Sequence, residues 1–312
     1  MAEALGRASY PKQARSIAGR QKHVPVSRVF LQFLILVLVA LSSSSALAQS
    51  RANHIAAELV PEGPATPGEV LEVALLMTPE ESWHGYWSNP GDAGYAISFE
   101  WGIPDGWEVG EPQYPVPETL LIADLMNHVY EGQYAVLLPF SIPADAREGS
   151  VVPVTLEAQW LACTDEVCVP ERASLGTSIA IGGDGAAEPR FDAWRSAIPA
   201  LIDRKGSFQP DGNRLLVSIP LPASLQIEAP HLFLDNEELV DYAAPQEYWR
   251  DGDQLIIQLA LKSDSVATPA KVSGILKLDD AGGGIRFEAD PGEVGTGGTR
   301  LVFGGTGELS SL

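Results

Sequence analysis

The sequence is poor in sulfur and in positive charge. Its 312 residues include only two cysteines, and 20 Lys and Arg stand against 41 Asp and Glu, for a net charge of −21. An acidic surface repels phosphate, so nucleic acid is not an expected partner. The acids are scattered along the chain, and we interpret the charge as an aid to solubility outside the cytoplasm. Neither a Gly-x-Ser-x-Gly nor a His-Glu-x-x-His motif occurs, so hydrolase functions have no support.

Long hydrophobic runs are also lacking. The longest, Val29 to Leu41, falls short of the ~20 apolar residues that span a bilayer. A basic stretch precedes it and a Ser-rich segment ending in Ala46-Leu47-Ala48 follows, which is the order of a secretory signal without a twin-arginine pair. We predict a signal peptide over residues 1–48, with an uncleaved anchor as the weaker alternative. The mature chain is then periplasmic or secreted and has no membrane span.

Hydrophobic and polar residues alternate through much of the remaining chain, as in half-buried β-strands. The clearest case is Val152-Val154-Leu156-Ala158-Trp160. The strands predicted in this first part are Ala56–Val60, Leu71–Met77, Ile97–Trp101, Tyr134–Ile142, Val152–Trp160 and Leu175–Ile181. Turn signals such as Asn89-Pro90-Gly91 separate them, which predicts an antiparallel β-sandwich.

Composition divides the chain after residue 182. A Gly-rich linker is followed by Phe191, Trp194, Ile198 and Leu201 at roughly helical spacing, which predicts one short helix. The strands predicted beyond it are Leu215–Ile219, His231–Leu234, Gln254–Leu261, Val272–Leu278 and Ile285–Ala289. We therefore predict an all-β protein with domains at 49–182 and 208–290, a linker with a short helix at 183–207, and a Gly-rich disordered tail at 291–312.

The two cysteines, Cys163 and Cys168, lie close together, and in an exported protein such a pair predicts a disulfide. Closing so short a loop stabilises a fold by only about 2 kcal/mol, a small gain for a domain with a large core. Short disulfides are often exchangeable, so a redox-active bond and a structural one are equally open. Asp165 and Glu166 disfavour a thiolate, so exchange would need a docked partner to activate the pair.

Two further features are weaker candidates. His84 lies among Trp83, Tyr86 and Trp87, where a packed core histidine is the expected interpretation. Together with Cys163 and Cys168 it could form a soft copper or zinc site, although nothing in the spacing demands one. The segment Tyr130-Glu131-Gly132 could be a turn or a cap over a site.

Several segments together resemble the N-terminal periplasmic region of the thiol:disulfide interchange protein DsbD family. They are Trp83–Gly94, Ile103–Trp107, Val129–Gly132 and Trp160–Glu171. The resemblance is closest to the branch with a longer, two-part N-terminal region, which includes the suppressor-of-copper-sensitivity protein ScsB. The segments His231–Asp235 and Ala244–Gln246 resemble the second block of that branch.

The resemblance implies two immunoglobulin-like β-sandwich domains and a cysteine pair that carries electrons. In the family, a membrane-embedded domain reduces this pair through a thioredoxin-like domain, and the pair reduces periplasmic oxidoreductases. Carried over, Cys168 exchanges with partners, Cys163 resolves the mixed disulfide, and Met126–Tyr130 forms a flap over the pair. The residues expected to cap or support the site are Trp83, His84, Asn89, Asp92, Tyr130 and Trp160.

The sequence departs from the full family pattern, because it has neither membrane helices nor a thioredoxin-like Cys-x-x-Cys. The expected function is periplasmic thiol–disulfide exchange without a cofactor, between a separate membrane-embedded electron donor and a thioredoxin-like oxidoreductase. If the chain is an enzyme, it is a component of a protein-disulfide reductase. The alternatives are a copper-binding or copper-tolerance module and an interaction domain with a purely structural disulfide.

Overall fold

The computed structural model describes residues 52–262 and 269–303, so the predicted signal peptide lies outside the described residues. From Asn53 onward the described residues form one compact unit. Its elements are β1 (Ile55–Pro61), β2 (Val70–Pro79), β3 (Gly85–Gly91), β4 (Ser98–Gly102), β5 (Glu108–Val109), β6 (Glu118–Ile122), β7 (Leu125–Tyr130), β8 (Tyr134–Ser141), β9 (Val151–Cys163), β10 (Cys168–Ala180), α1 (Arg190–Ala197), β11 (Ala200–Leu201), β12 (Gly206–Asp211), β13 (Arg214–Pro220), β14 (His231–Leu234), β15 (Glu247–Asp251), β16 (Gln254–Ala260), β17 (Val272–Lys277), β18 (Gly284–Pro291) and β19 (Thr299–Leu301). Within these residues, no helix combines the length and the apolar character that crossing a bilayer requires.

The first block is an antiparallel β-sandwich, as the alternating pattern predicts. One sheet has the strand order β1-β2-β8-β5, and the other has the order β10-β9-β4. Val73 and Leu75 of β2 meet Leu156 and Trp160 of β9 in a shared core, each at most 1% exposed. Because side chains alternate between the two faces of a strand, the residues between them point outward.

A third sheet, of order β3-β7-β6, lies beside this sandwich and corrects one prediction. The expected turn Asn89-Pro90-Gly91 lies inside β3, where the pairing with β7 shifts register between Tyr86 and Gly91. Such a bulge lets a proline sit in a strand without breaking the ladder. Gly91 has φ +88°, and a Cβ there would lie 2.4 Å from the carbonyl oxygen of Met126. The close approach of β3 and β7 therefore requires glycine at this position.

The second block is one sheet of nine strands, ordered β14-β17-β18-β12-β13-β16-β15-β19 with β11 beside β18. Leu232 and Leu234 of β14 share a core with Leu255 and Ile257 of β16, although their strands are far apart in this order. The sheet is therefore folded over on itself around a single core. Together with the first block it gives the predicted all-β architecture of two sandwiches.

Helix α1 confirms the short helix predicted between the blocks, and it packs on the outer face of the first sheet. Phe191, 1% exposed, lies against Leu76 and other apolar residues of β1, β2 and β8. Arg195 donates hydrogen bonds of 2.7 Å to Glu62 and 2.6 Å to Glu72. The helix is thereby held against the first sandwich by both apolar and ionic contacts.

The prediction of a disordered tail after residue 290 is wrong for the part that the structure describes. Strand β19 pairs with β15. Val294 is 6% exposed, and its N–H donates to Gln209 Oε1 at 3.0 Å. The hydrogen bonds of the edge strand and the burial of apolar side chains here outweigh the conformational entropy that is lost when the glycines become ordered. Residues 304–312 lie outside the described residues.

Candidate functional site

Cys163 and Cys168 form a disulfide at the tip of the β9–β10 hairpin. Cys163 ends β9, Cys168 begins β10, and the two residues pair directly across the hairpin with their Cα atoms 4.1 Å apart. Thr164 closes the loop between them, because its N–H donates to the Val167 carbonyl at 2.8 Å. Its Oγ1 also accepts the N–H groups of Glu166 and Val167, both at 3.2 Å. The tip is thus a short turn held by its own hydrogen bonds.

The two sulfur-bearing residues differ in exposure. Cys163 is 0% exposed and packs in a small apolar cluster with Tyr86, Val129 and Leu161, whereas Cys168 is exposed. Because thiol exchange depends on access to the attacked sulfur, an incoming group approaches this disulfide from the Cys168 side. An exchanging Cys168 and a resolving Cys163 require this asymmetry.

His84 lies directly beside the buried cysteine. Its N–H donates to the Cys163 carbonyl at 2.8 Å, and the Cys163 N–H donates to the His84 carbonyl at 3.1 Å, as in a hydrogen-bonded antiparallel pair. Residues paired in this way have side chains on the same face of the sheet. Since Cys163 also pairs with Cys168, the three side chains form a row across the strands.

The imidazole of His84 is buried and incompletely satisfied. The residue is 2% exposed, and its Nε2 has no hydrogen-bond partner. Burial lowers the pKa of His84, while the carboxylates of Glu131 and Asp165 oppose that shift. Residues 52–262 and 269–303 contain no group of three His, Cys, Asp or Glu side chains placed to hold a metal ion. The two sulfurs of the alternative copper or zinc site are bonded to each other.

The segment Met126–Tyr130, expected as a flap, belongs to β7 of the β6–β7 hairpin, which packs against the cluster around the buried cysteine. The whole hairpin, residues 118–130, is called the flap below. Val129, 0% exposed, and Leu120 pack in the apolar cluster around Cys163. The N–H of Met126 donates to Asp92 Oδ2 at 2.9 Å, and the Asp92 N–H donates to the Met126 carbonyl at 2.8 Å. Asp92 therefore anchors the flap to the loop that follows β3.

The flap also contacts the second block. His128 of β7 is 1% exposed, and its ring lies edge-on to Phe233 and Tyr242, with centroids 4.9 and 5.2 Å away. Its Nδ1 donates to the Asn89 carbonyl at 2.9 Å, and burial lowers its pKa to about 4. Asn89 Nδ2 in turn donates to the Leu234 carbonyl at 2.7 Å. The second block thus touches the flap from the side away from Cys163.

The other residues expected to support the site serve the packing of the first sandwich. Trp83 stacks on His54 with ring centroids 3.6 Å apart. Tyr130 stacks on Tyr134 at 4.1 Å, and its hydroxyl donates to the Pro115 carbonyl at 2.8 Å. The apolar cluster around Cys163 also involves two residues that the sequence did not single out, Leu161 and, packed against the cluster, Leu120. The position of Leu161 could have been predicted, because it precedes Cys163 by two residues and therefore lies on the same face of the strand.

Trp160 and the start of β1 are held by a buried carboxylate near the hairpin tip. Glu171, 6% exposed, pairs across the hairpin with Trp160 and accepts its Nε1–H at 3.0 Å. The same carboxylate accepts the backbone N–H of His54 at 2.5 Å and that of Ile55 at 3.1 Å. It therefore joins β1, β9 and β10 three residues beyond Cys168.

We expect a Glu171→Gln variant to lose about 1–3 kcal/mol of unfolding free energy, because an amide offers one acceptor oxygen to these three donors. Urea denaturation measures the loss. The matched control is Glu157→Gln, since Glu157 lies exposed on β9 and accepts from Ser174 Oγ at 2.6 Å. Its effect should stay within about 0.5 kcal/mol. Equal losses in the two variants would contradict the anchoring role of Glu171.

The chain is similar to known proteins in both sequence and fold. Residues 56–178 match the family model described as thiol:disulfide interchange protein DsbD, N-terminal. Among solved structures, the N-terminal periplasmic domain of ScsB from Proteus mirabilis is similar in fold, with a TM-score of 0.58 at 15% identity over 80% of this chain and 97% of that one. A protein of unknown function from Porphyromonas gingivalis W83 aligns over 76% of this chain and 100% of its own at 11% identity, with a TM-score of 0.25. No curated protein matches the sequence.

Proposed function

We propose that this chain relays reducing equivalents through Cys163 and Cys168 to a thioredoxin-like oxidoreductase. The proposal is supported by residues 56–178, which form an N-terminal domain of the DsbD family. The observation that carries the proposal is the asymmetric disulfide, with one cysteine exposed at a hairpin tip and the other buried under the flap. A bond that served only as a staple would gain nothing from having one accessible end. The compartment proposed is the periplasm or the cell exterior.

The exchange proceeds in two steps. The thiolate of reduced Cys168 attacks the partner's disulfide, so a mixed disulfide forms and one partner sulfur leaves as a thiolate. Cys163 then attacks the sulfur of Cys168, which closes the Cys163–Cys168 bond and releases the second partner sulfur. Two electrons have passed from the dithiol of this chain to the partner. A membrane-embedded donor restores the dithiol in the proposed cycle.

The proposal is tested by mixing the reduced chain with an oxidised thioredoxin-like protein that has a strongly oxidising Cys-x-x-Cys pair. Samples are quenched with acid, and mass spectrometry counts the free thiols on each protein. For each partner disulfide that is reduced to two thiols, one molecule of this chain should form its Cys163–Cys168 disulfide. The reaction should be at least about 100-fold faster than with oxidised glutathione at equal disulfide concentration, since only a docked pair gains in effective concentration. A Cys163→Ser/Cys168→Ser double variant is the control. A rate no better than that of glutathione would leave only a structural disulfide.

A further inference from the structure

We infer that His84 takes the proton from Cys163 in the resolving step, an inference that rests on the exchange proposed above. The need for an acceptor follows from burial. Cys163 is 0% exposed, so bulk water does not reach its sulfur to remove a proton. A neutral thiol is a poor nucleophile, since the thiolate is the attacking form. A side chain beside Cys163 must therefore accept the proton.

Position singles out His84 for this task. Its backbone exchanges both hydrogen bonds with that of Cys163, which puts the two side chains next to each other on one face. The residues that pack around this cysteine, Tyr86, Val129, Leu161 and Leu120, are apolar or phenolic, so the base must come from a polar neighbour such as His84. The ring of His84 meets Tyr86 edge-on at 5.5 Å, which limits its orientation.

The state of the imidazole also suits an acceptor. Its Nε2 is buried without a partner, a costly arrangement unless a partner arrives during function. Burial favours the neutral ring, which can accept a proton, because it lowers the pKa. Glu131 after the flap and Asp165 at the hairpin tip favour the charged ring, so they stabilise the imidazolium that forms. The phenol of Tyr86, whose pKa is raised by burial, stays neutral.

The step balances without any added reactant. In the mixed disulfide, the S–H proton of Cys163 moves to His84 Nε2, and the Cys163 sulfur attacks that of Cys168. The Cys163–Cys168 bond forms while the bond from Cys168 to the partner breaks, and the partner leaves as a thiolate. The imidazolium then gives its proton to that thiolate or to water, which restores the neutral ring.

Oxidised glutathione tests the step without a protein partner. Mixed with the reduced chain in stopped flow, it should give a concentration-dependent attack by Cys168 and then a concentration-independent resolution by Cys163. A His84→Gln variant should slow the second phase by about 10- to 100-fold at pH 7 and leave the first phase unchanged. The deficit should shrink as the pH rises, because a general base contributes less to the rate where hydroxide becomes abundant. The control is His54→Gln, since His54 also has a buried Nε2 without a partner but does not pair with either cysteine.

The outcomes separate the two proposals. A slowed second phase that recovers at high pH supports His84 as the acceptor, even if no thioredoxin-like protein exchanges with the chain. An unchanged second phase, or one slowed equally at every pH, overturns the inference and leaves the relay intact. If the His84 variant does not fold, nuclear magnetic resonance titration of His84 in the reduced wild type replaces it. The pKa of His84 should then change in a Cys163→Ser variant, and an unchanged value overturns the inference.

Discussion

In a Cys163→Ala variant, Cys168 is expected to hold a thioredoxin-like partner in a lasting mixed disulfide. The exposed cysteine keeps its access to the partner, whereas the sulfur that would release the partner is gone. The substitution also removes little volume from the apolar cluster around residue 163. The first step of exchange therefore proceeds and the second step cannot.

The partner in this experiment is a thioredoxin-like protein that retains only the exposed cysteine of its active site. That cysteine is first converted to a mixed disulfide with thionitrobenzoate, which is the leaving group when Cys168 attacks. Release of thionitrobenzoate gives the rate, and a gel run without reductant shows the adduct. The matched control is Cys168→Ala, which leaves the buried Cys163 as the sole thiol. Because access limits attack, the Cys163→Ala variant should react faster by on the order of 100-fold. Equal rates, or a faster Cys168→Ala variant, would reverse the roles of the two sulfurs.

Replacing Phe233 with Ala is expected to destabilise the protein and to loosen the flap as well. Phe233 lies on β14 of the second block but is buried in the core of the first, at 0% exposed. Its ring lies 5.8 Å from that of Trp87 and 4.9 Å from that of His128 on the flap. A buried Phe→Ala change costs about 3–5 kcal/mol, and here the cavity opens directly behind β7.

The control for this prediction is Phe287→Ala, because Phe287 is 1% exposed and belongs to the core of the second block alone. Both variants should lose similar unfolding free energy in urea. Under native conditions, however, hydrogen exchange at the amides of β7 should rise more in Phe233→Ala than in Phe287→Ala. If either variant unfolds, Phe233→Leu and Phe287→Leu make the milder comparison. Equal exchange at β7 in the pair would show that the second block does not hold the flap.

The sequence predicted those elements whose hydrophobic pattern is regular. The alternation from Val152 to Trp160 marks the central part of β9, and His231–Leu234 was predicted with the bounds that β14 has. The missed elements have weak or broken patterns. Strand β3 passes through Asn89-Pro90-Gly91 by means of a bulge, and a bulge leaves no period-two signal. Strand β19 is a three-residue edge strand among glycines.

The disulfide was predictable from the sequence, but its surroundings were not. The close cysteine pair predicted the bond, and the family resemblance supplied the proposed roles of the two sulfurs, whereas the burial of Cys163 depends on the flap folding over it. The pairing of His84 with Cys163 joins residues that are far apart in the chain, and no local pattern reports such a contact. The same is true of Phe233, which looks like an ordinary core residue of the second block.

The backbone hydrogen bonds of Cys163 have a consequence for how the two oxidation states differ. Both its N–H and its carbonyl are held by His84, so this residue has little freedom to shift when the sulfur–sulfur bond opens. Any change of shape falls on Cys168 and the turn that precedes it. In the proposed relay, a bound oxidoreductase would therefore distinguish the reduced chain from the oxidised one by the shape of this hairpin tip, and release the oxidised one.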